Sequence, residues 1–249
     1  MNTLLIDRKG KKTLISTEER KANTQYGIIS ETDLNKLNGG LVKTHTGKQL
    51  LAVKPSFQDM VESMKMGSRP IYPYDSGIMS AMLSIKKGTK VLESGTGSGG
   101  NTIYLAELGA EIDTWEKEKR FYDIAEKNLA KYKNVKTHYG NVLEQKLKRE
   151  FYDVIFLDLQ NPSQAIEQID YSLRIGGFVG VYSPIMDDIK PVWRKLEERG
   201  YFDIRAIQLD LKEVIVKKYA RVKGLLGYPG WFIWGRKGSE LKNDEFGRN

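Results

Sequence analysis

The run Gly95-Thr96-Gly97-Ser98-Gly99-Gly100 follows the apolar segment Lys90-Val91-Leu92-Glu93 and leads into a stretch with helical patterning. Glycines in that position let a strand turn tightly into a helix, and they let a ligand approach where any Cβ would obstruct it. The loop Gly95, Thr96, Gly97, Ser98, Gly99 is therefore the candidate cofactor cradle. Glu116 ends the next apolar run, about 20 residues further on, where an acidic side chain can accept both hydroxyl protons of a ribose. Its acidic neighbours Asp113 and Glu118 read as solvated surface. At the end of a third run, Asn141 could set its amide against an adenine ring or simply form a turn. A fourth run, Asp153-Val154-Ile155-Phe156-Leu157-Asp158, breaks at Pro162 and delivers Asp158 into the same crevice; Asp153 belongs to the opposite end. Tyr72 and Tyr74 flank Pro73 in a constrained loop and could stack on a base or pack internally.

Two cofactors compete for such a loop. Gly95, Gly97 and Gly100 satisfy the dinucleotide spacing G-x-G-x-x-G, which keeps a nicotinamide dehydrogenase open. Glu93, however, precedes the loop in the Glu-x-Gly-x-Gly order typical of methyltransferases, and no later His or Lys constellation suggests hydride chemistry. S-adenosylmethionine is the favoured cofactor. Glu93 would either fix the loop or hydrogen-bond the amino acid end of that molecule.

These residues need a scaffold that brings the ends of several strands together. From Thr89 onward strands alternate with helices, the signature of a parallel sheet with crossover helices. The expected strands are 90–93, 111–115, 135–139, 152–159, 177–182, 203–211 and 230–235, with helices near 102–108, 119–132, 164–173 and 188–199. The last two strands lack a helix between them and can pair antiparallel at the sheet edge. Seven strands with a reversed last one is the class I methyltransferase arrangement, a Rossmann-like α/β fold. Ahead of it, five short apolar segments between Thr3 and Val53, separated by turn residues, predict a small β-rich domain, a strongly bent sheet or barrel. A helix follows over Ser56–Met66, capped by Ser56. The expected division is residues 1–66 and 67–249, with a frayed tail from Gly238.

Bulk properties narrow the partners. The chain of 249 residues has no cysteine and two histidines, His45 and His138, so disulfides and a structural metal site are not expected. No apolar run approaches the roughly 20 residues of a spanning helix, and Asp7, Arg8 and Lys9 interrupt any leader, so a soluble, cytoplasmic protein is expected. A formal charge of +8 suits a polyanionic partner, or the lysine-rich surface of a heat-adapted protein.

Several segments together resemble a known family, the archaeal and bacterial tRNA adenine-N1 methyltransferases that modify position 58 of the T-loop. They are Thr44-His45-Thr46-Gly47, Lys54-Pro55-Ser56-Phe57-Gln58-Asp59, Ile71-Tyr72-Pro73-Tyr74-Asp75-Ser76-Gly77, the Glu93–Gly100 loop and Leu157-Asp158-Leu159-Gln160-Asn161-Pro162. Tyr182-Ser183-Pro184 and Gly227-Tyr228-Pro229-Gly230 add to them. The resemblance implies S-adenosyl-L-methionine as cofactor, tRNA as substrate and a homotetramer, with position 57 an open second target. It implies that Gly95, Gly97 and Glu116 hold the cofactor, that Asp158 contacts the target adenine, and that Tyr72 lines its pocket. The sequence departs from the pattern at Tyr74, where a lysine is usual, at Ser163, where a tryptophan often stands, and at Tyr228-Pro229 in place of His-Thr. The alternatives are a methyltransferase of a small molecule or protein, and a non-catalytic RNA-binding subunit.

Overall fold

The structure, a computed structural model, describes residues 2–16, 21–30, 39–222 and 230–239. Tyr228-Pro229 and the tail beyond residue 239 lie outside them. The chain divides into two compact units, Met1–Lys65 and Met66–Asn249.

In the first unit an antiparallel sheet runs in the order β2-β1-β6-β5, built from β1 (Asn2–Ile6), β2 (Lys12–Ser16), β5 (Gly40–Lys43) and β6 (Gln49–Val53). A separate hairpin pairs β3 (Lys21–Thr24) with β4 (Gly27–Ser30). Among the described residues this is an open sheet plus a hairpin rather than a barrel. β3 escapes sequence reading because Lys-Ala-Asn-Thr has no apolar alternation. Leu5, Ile15, Ile29, Val42, Leu50 and Ala52 form the core, and period-two alternation on β6 buries Leu50 and Ala52 while exposing Leu51. Asp7 closes the β1–β2 turn by accepting the backbone N–H groups of Lys9 and Lys11, each at 2.8 Å.

Helix α1 (Phe57–Ser63) starts at a capping box. The Ser56 hydroxyl accepts the Asp59 N–H, and the Asp59 carboxylate accepts the Ser56 N–H at 2.9 Å. The helix stops three residues short of the expected Met66, because Met64 turns extended.

The second unit is organised on a seven-stranded sheet in the order β12-β15-β11-β10-β7-β8-β9. Its strands are β7 (Lys90–Ser94), β8 (Glu111–Glu116), β9 (Val135–Tyr139), β10 (Tyr152–Leu157), β11 (Leu173–Ser183), β12 (Tyr201–Gln208) and β15 (Trp231–Lys237). All neighbours pair parallel except β15, which is antiparallel to β11 and β12. The reversed strand is thus present, inserted one place in from the edge. Between β12 and β15 lies a small hairpin, β13 (Val214–Val216) with β14 (Ala220–Val222).

Both faces of the sheet are covered, as parallel strands require. On β10, Ile155 and Leu157 face one core with Ile166 and Ile169 of α5 (Pro162–Ile169) and Val192 and Leu196 of α6 (Ile189–Glu198). Val154 and Phe156 face the other, with Met79 of α2 (Pro73–Met82), Leu83 beyond it, and Leu105 and Ala106 of α3 (Gly100–Glu107). Each such aliphatic side chain contributes roughly 1.5–3 kcal/mol when fully buried. Helix α4 (Lys119–Leu129) packs Ile124, Ala125 and Leu129 inward.

Several boundaries move. The helix expected over 164–173 ends at Ile169; a 3₁₀ turn covers Asp170–Ser172, and Leu173 already belongs to β11. The buried Asp170 carboxylate takes both Nε (2.8 Å) and Nη2 (3.0 Å) of Arg199, which anchors the turn. Strand β10 stops at Leu157, so Asp158 and Leu159 leave the sheet.

The Lys12 ammonium sits 2.6 Å from the buried Asp59 carboxylate. Burial by itself would raise the Asp59 pKa, but the Lys12 and Ser56 hydrogen bonds outweigh it and hold the carboxyl below its ordinary value. Stability from this group is therefore complete above the unfolded carboxylate pKa of about 4 and is lost as pH falls through the folded value. Lys12→Met is expected to reduce amide protection in α1 of the full chain at neutral pH and to flatten its loss on acidification, both read by hydrogen exchange.

Candidate active site

The carboxyl ends of β7, β8, β9 and β10 open into a crevice of about 490 Å³. Gly95, Gly97 and Glu116 line it together with Asn141 and Asp158, and Arg69, Lys117 and Glu118 are among the other residues of its walls.

The loop is held from behind. Gly95 and Thr96 both donate their N–H to the Trp115 carbonyl, at 3.0 and 3.3 Å, which ties the end of β7 to the end of β8. Glu93 is 2 % exposed and accepts from Asn101 Nδ2 (2.9 Å), Thr102 Oγ1 (2.5 Å) and Thr114 Oγ1 (2.7 Å). Burial raises its pKa, and those three bonds oppose the shift. Of the two roles open to Glu93, its geometry is that of fixing the loop. Thr96 bonds Thr114, and the Ser98 hydroxyl accepts the N–H groups of Gly67 (2.8 Å) and Ser68 (3.1 Å). Gly99, in the left-handed region, caps α3. Glu93, Thr96, Ser98 and Gly99 therefore build the cradle without lining the crevice.

Glycine at position 95 is a steric requirement. Its φ is +94°, and a Cβ there would lie 1.9 Å from the backbone oxygen of Asp158. A Cβ on Gly97 would meet Ser68 Oγ at 2.6 Å.

The side chains at the mouth are prearranged. The Glu116 carboxylate accepts the N–H of Gly97 and of Glu118, each at 2.9 Å, so it is fixed against the loop with lone pairs facing the crevice. Asn141 caps a short 3₁₀ turn through its side-chain oxygen, 3.1 Å from Leu143 N, and its amide nitrogen donates to Glu144. The turn reading of Asn141 is thus satisfied, although the residue also lines the crevice. Asp158 donates its backbone N–H to the Ser94 carbonyl at 2.9 Å. Burial pushes its carboxyl up to about 7, reinforced by the charges of Glu93 and Glu116. Asp113 is not the solvated acid expected: it accepts the Tyr152 hydroxyl at 3.0 Å and faces His138 at 3.3 Å.

Tyr72 and Tyr74 do not flank a loop. Pro73 occupies the first turn of α2, where its fixed φ suits the helix and its missing N–H costs nothing, and Tyr72 caps it. The two rings stack on each other at 5.2 Å and 9°. Arg69, which lines the crevice, donates to the Tyr72 hydroxyl and lies over its ring, so Tyr72 stands one residue behind the wall. Sequence reading missed Arg69 and the pair Asp75–Tyr182, 3.2 Å apart. Burial raises the Asp75 carboxyl to about 6, opposed by the bond from Tyr182. These two are 107 positions apart, and no local pattern links them.

A family model described as tRNA methyltransferase complex GCD14 subunit matches residues 62–225. The chain belongs to this family. The tRNA (adenine(58)-N(1))-methyltransferase TrmI of Thermus thermophilus is 30% identical, over 84% of this chain and 86% of that protein. The tRNA (adenine(57)-N(1)/adenine(58)-N(1))-methyltransferase TrmI of Methanocaldococcus jannaschii is 28% identical, over 90% and 92%. Among solved structures, a SAM-dependent O-methyltransferase from Thermotoga maritima superposes with a TM-score of 0.81 at 24% identity, covering 97% of this chain and 94% of that one. The tRNA (m1A58) methyltransferase TrmI from Aquifex aeolicus gives 0.77 at 21%, covering 96% and 97%. Both share the class I methyltransferase fold.

The close approach of Gly95 to Asp158 predicts that Gly95→Ala weakens S-adenosylmethionine binding by at least about a hundredfold, the equivalent of about 3 kcal/mol of strain and displacement. Calorimetry on the folded variant reads the loss directly.

Proposed function

We propose that this protein transfers a methyl group from S-adenosylmethionine to N1 of adenine 58 in the T-loop of tRNA. The observation that carries the choice of cofactor is the sign of the crevice. Glu116, Glu118 and Asp158 outnumber Arg69 and Lys117 in its lining, and the charges of Glu93 and Glu116 add to the burial that chiefly lifts the Asp158 carboxyl to about 7. A dinucleotide would bring a diphosphate to this charge, whereas S-adenosylmethionine brings cationic groups that it attracts. The glycine cradle and the Glu116 carboxylate, an acceptor for ribose hydroxyls, fit the same molecule. Family membership and the named activities of the relatives support tRNA as the substrate, and the formal charge of +8 suits it.

S-adenosylmethionine supplies an electrophilic methyl group on a sulfonium. Adenine N1 already has a lone pair, so positioning matters more than a strong base. Asp158, just past the end of β10, would accept a hydrogen bond from the N6 amino group and stabilise the positive charge that the ring acquires. The target nucleotide must first leave its stack, which requires contacts beyond the crevice.

The reading includes further copies of the chain. Hairpin β13–β14 exposes Val214 (58%), Val216 (75%) and Val222 (59%), with Tyr219 (74%) at its turn, an apolar surface that supports assembly into a homotetramer. With tRNA as substrate, a cytoplasmic site of action completes it.

Incubation with labelled S-adenosylmethionine and an unmodified tRNA transcript, followed by nucleoside mass analysis, is expected to give 1-methyladenosine at position 58. Cofactor binding without transfer to tRNA would redirect the assignment to a small-molecule or protein methyltransferase. Asp158→Ala is expected to lower kcat by about 10²–10³, the loss of one electrostatic stabiliser.

Asp158 also gives a pH signature. Its raised pKa means that the empty folded chain holds a proton between about pH 4 and 7 that the unfolded chain has lost, so this group's contribution to stability falls as pH rises through that window. A bound cation lowers the pKa again. Titration calorimetry near pH 6.5 in buffers of different ionisation enthalpy is expected to show proton release on cofactor binding, and Asp158→Asn to abolish it.

A further inference from the structure

The opposite edge of the large sheet holds a second cavity. The amino ends of β7, β10 and β11 meet the carboxyl end of the antiparallel β15 there, with Val91, Val154, Phe178 and Arg236 in one register row. The cavity measures about 390 Å³, and Lys86, Lys87, Asp153, Arg174, Phe178 and Arg236 stand in its wall.

Its guanidinium groups are held in place. Arg174 Nη1 lies 2.8 Å from Asp153 Oδ1, and that carboxylate also accepts the Lys90 N–H at 2.8 Å through its other oxygen. Arg236 donates from Nε to the Gly176 carbonyl at 3.0 Å and lies 4.9 Å over the Phe178 ring. Among the described residues no carboxylate forms an ion pair with Lys86, Lys87 or Arg236. Four cations face one carboxylate, which leaves a formal charge of +3 in a cavity whose lining residues are otherwise uncharged. Neither the crevice nor the methyl transfer uses any of these groups.

We propose that this cavity is a second RNA site, which binds phosphodiester groups of tRNA on the edge of the sheet away from methyl transfer. Preoriented arginines offer paired donors to phosphate oxygens, and flexible lysines add point charges that displace counterions. In the crevice Glu116, Glu118 and Asp158 outnumber Arg69 and Lys117, so cations elsewhere add to the retention of a polyanion that reaches it. The six residues of β10 put roughly 20 Å between the two edges. A nucleic-acid duplex presents one charge about every 1.7 Å of its axis, so phosphates are available over that distance.

The inference rests on the tRNA reading, and the test separates the two. Binding of a tRNA transcript is measured by filter retention between about 50 and 200 mM salt for the unaltered chain, Lys86→Glu/Lys87→Glu, and Lys127→Glu on α4, outside both cavities. Lys87 keeps the aliphatic stem that packs on Gly109, because glutamate retains two methylenes. The double variant is expected to bind about tenfold more weakly and to lose about 2 from the slope of log K against log salt, with S-adenosylmethionine affinity unchanged. Lys127→Glu is expected to change binding less than twofold. Glutamine at both positions repeats the measurement without introducing negative charge and is expected to give the same loss of slope. Retention of tRNA by the double variant within twofold of the unaltered chain overturns the inference alone. So does a loss in Lys127→Glu as large as in the double variant. An unaltered chain that does not bind tRNA overturns the inference and the proposed substrate together.

Discussion

Three donors from two places in the chain converge on the Glu93 carboxylate: Asn101 and Thr102 at the start of α3, and Thr114 on the neighbouring strand β8. A carboxylate buried to 2 % exposure persists only with such partners, because an unpaired one would be strongly penalised by desolvation. The clamp fixes where the strand ends and the helix begins. Once β7, β8 and α3 are locked, the glycine loop between them has one available path, and that path brings Gly95 against the Asp158 carbonyl. The positions of Glu116 and Asp158 follow from the same registration, since Ser94 pairs with Trp115 on one side and Leu157 on the other.

A parallel sheet sorts side chains by which end of a strand they occupy, and here that sorting separates charge. The carboxyl edge sets Glu116, Glu118 and Asp158 against Arg69 and Lys117, with Glu93 buried behind, an acidic balance suited to a small cation. The amino edge collects Lys86, Lys87, Arg174 and Arg236, which suits phosphate. A net charge of +8 summed over the chain conceals this division. A protein that binds both a cationic cofactor and a polyanionic substrate needs the two potentials kept apart, and the length of a strand supplies the separation.

The small leading unit shows the same economy with local means. Its turns and helix start are closed by short-range carboxylates, Asp7 over the β1–β2 turn and Asp59 in the capping box, and the second of these also takes the Lys12 ammonium. Such contacts span few residues and leave readable traces, which is why the sequence alone marks Ser56 as a cap. The segment 21–24 left no trace, because it has no apolar alternation and is a strand by pairing with β4.

The sequence by itself determined the fold class and which strand ends carry the glycine loop, Glu116 and Asp158, since period-two and period-3.6 patterns and a glycine-rich turn are local signals, and its motif segments carried the resemblance to the family. Tertiary structure alone decided what those residues do to one another. It turned Glu93 and Ser98 inward as supports, stacked Tyr72 on Tyr74, joined Asp75 to Tyr182, and placed β15 inside the sheet edge. The physical reason is that hydrogen bonding and burial depend on distance in space, and partners up to 107 positions apart leave no periodicity along the chain.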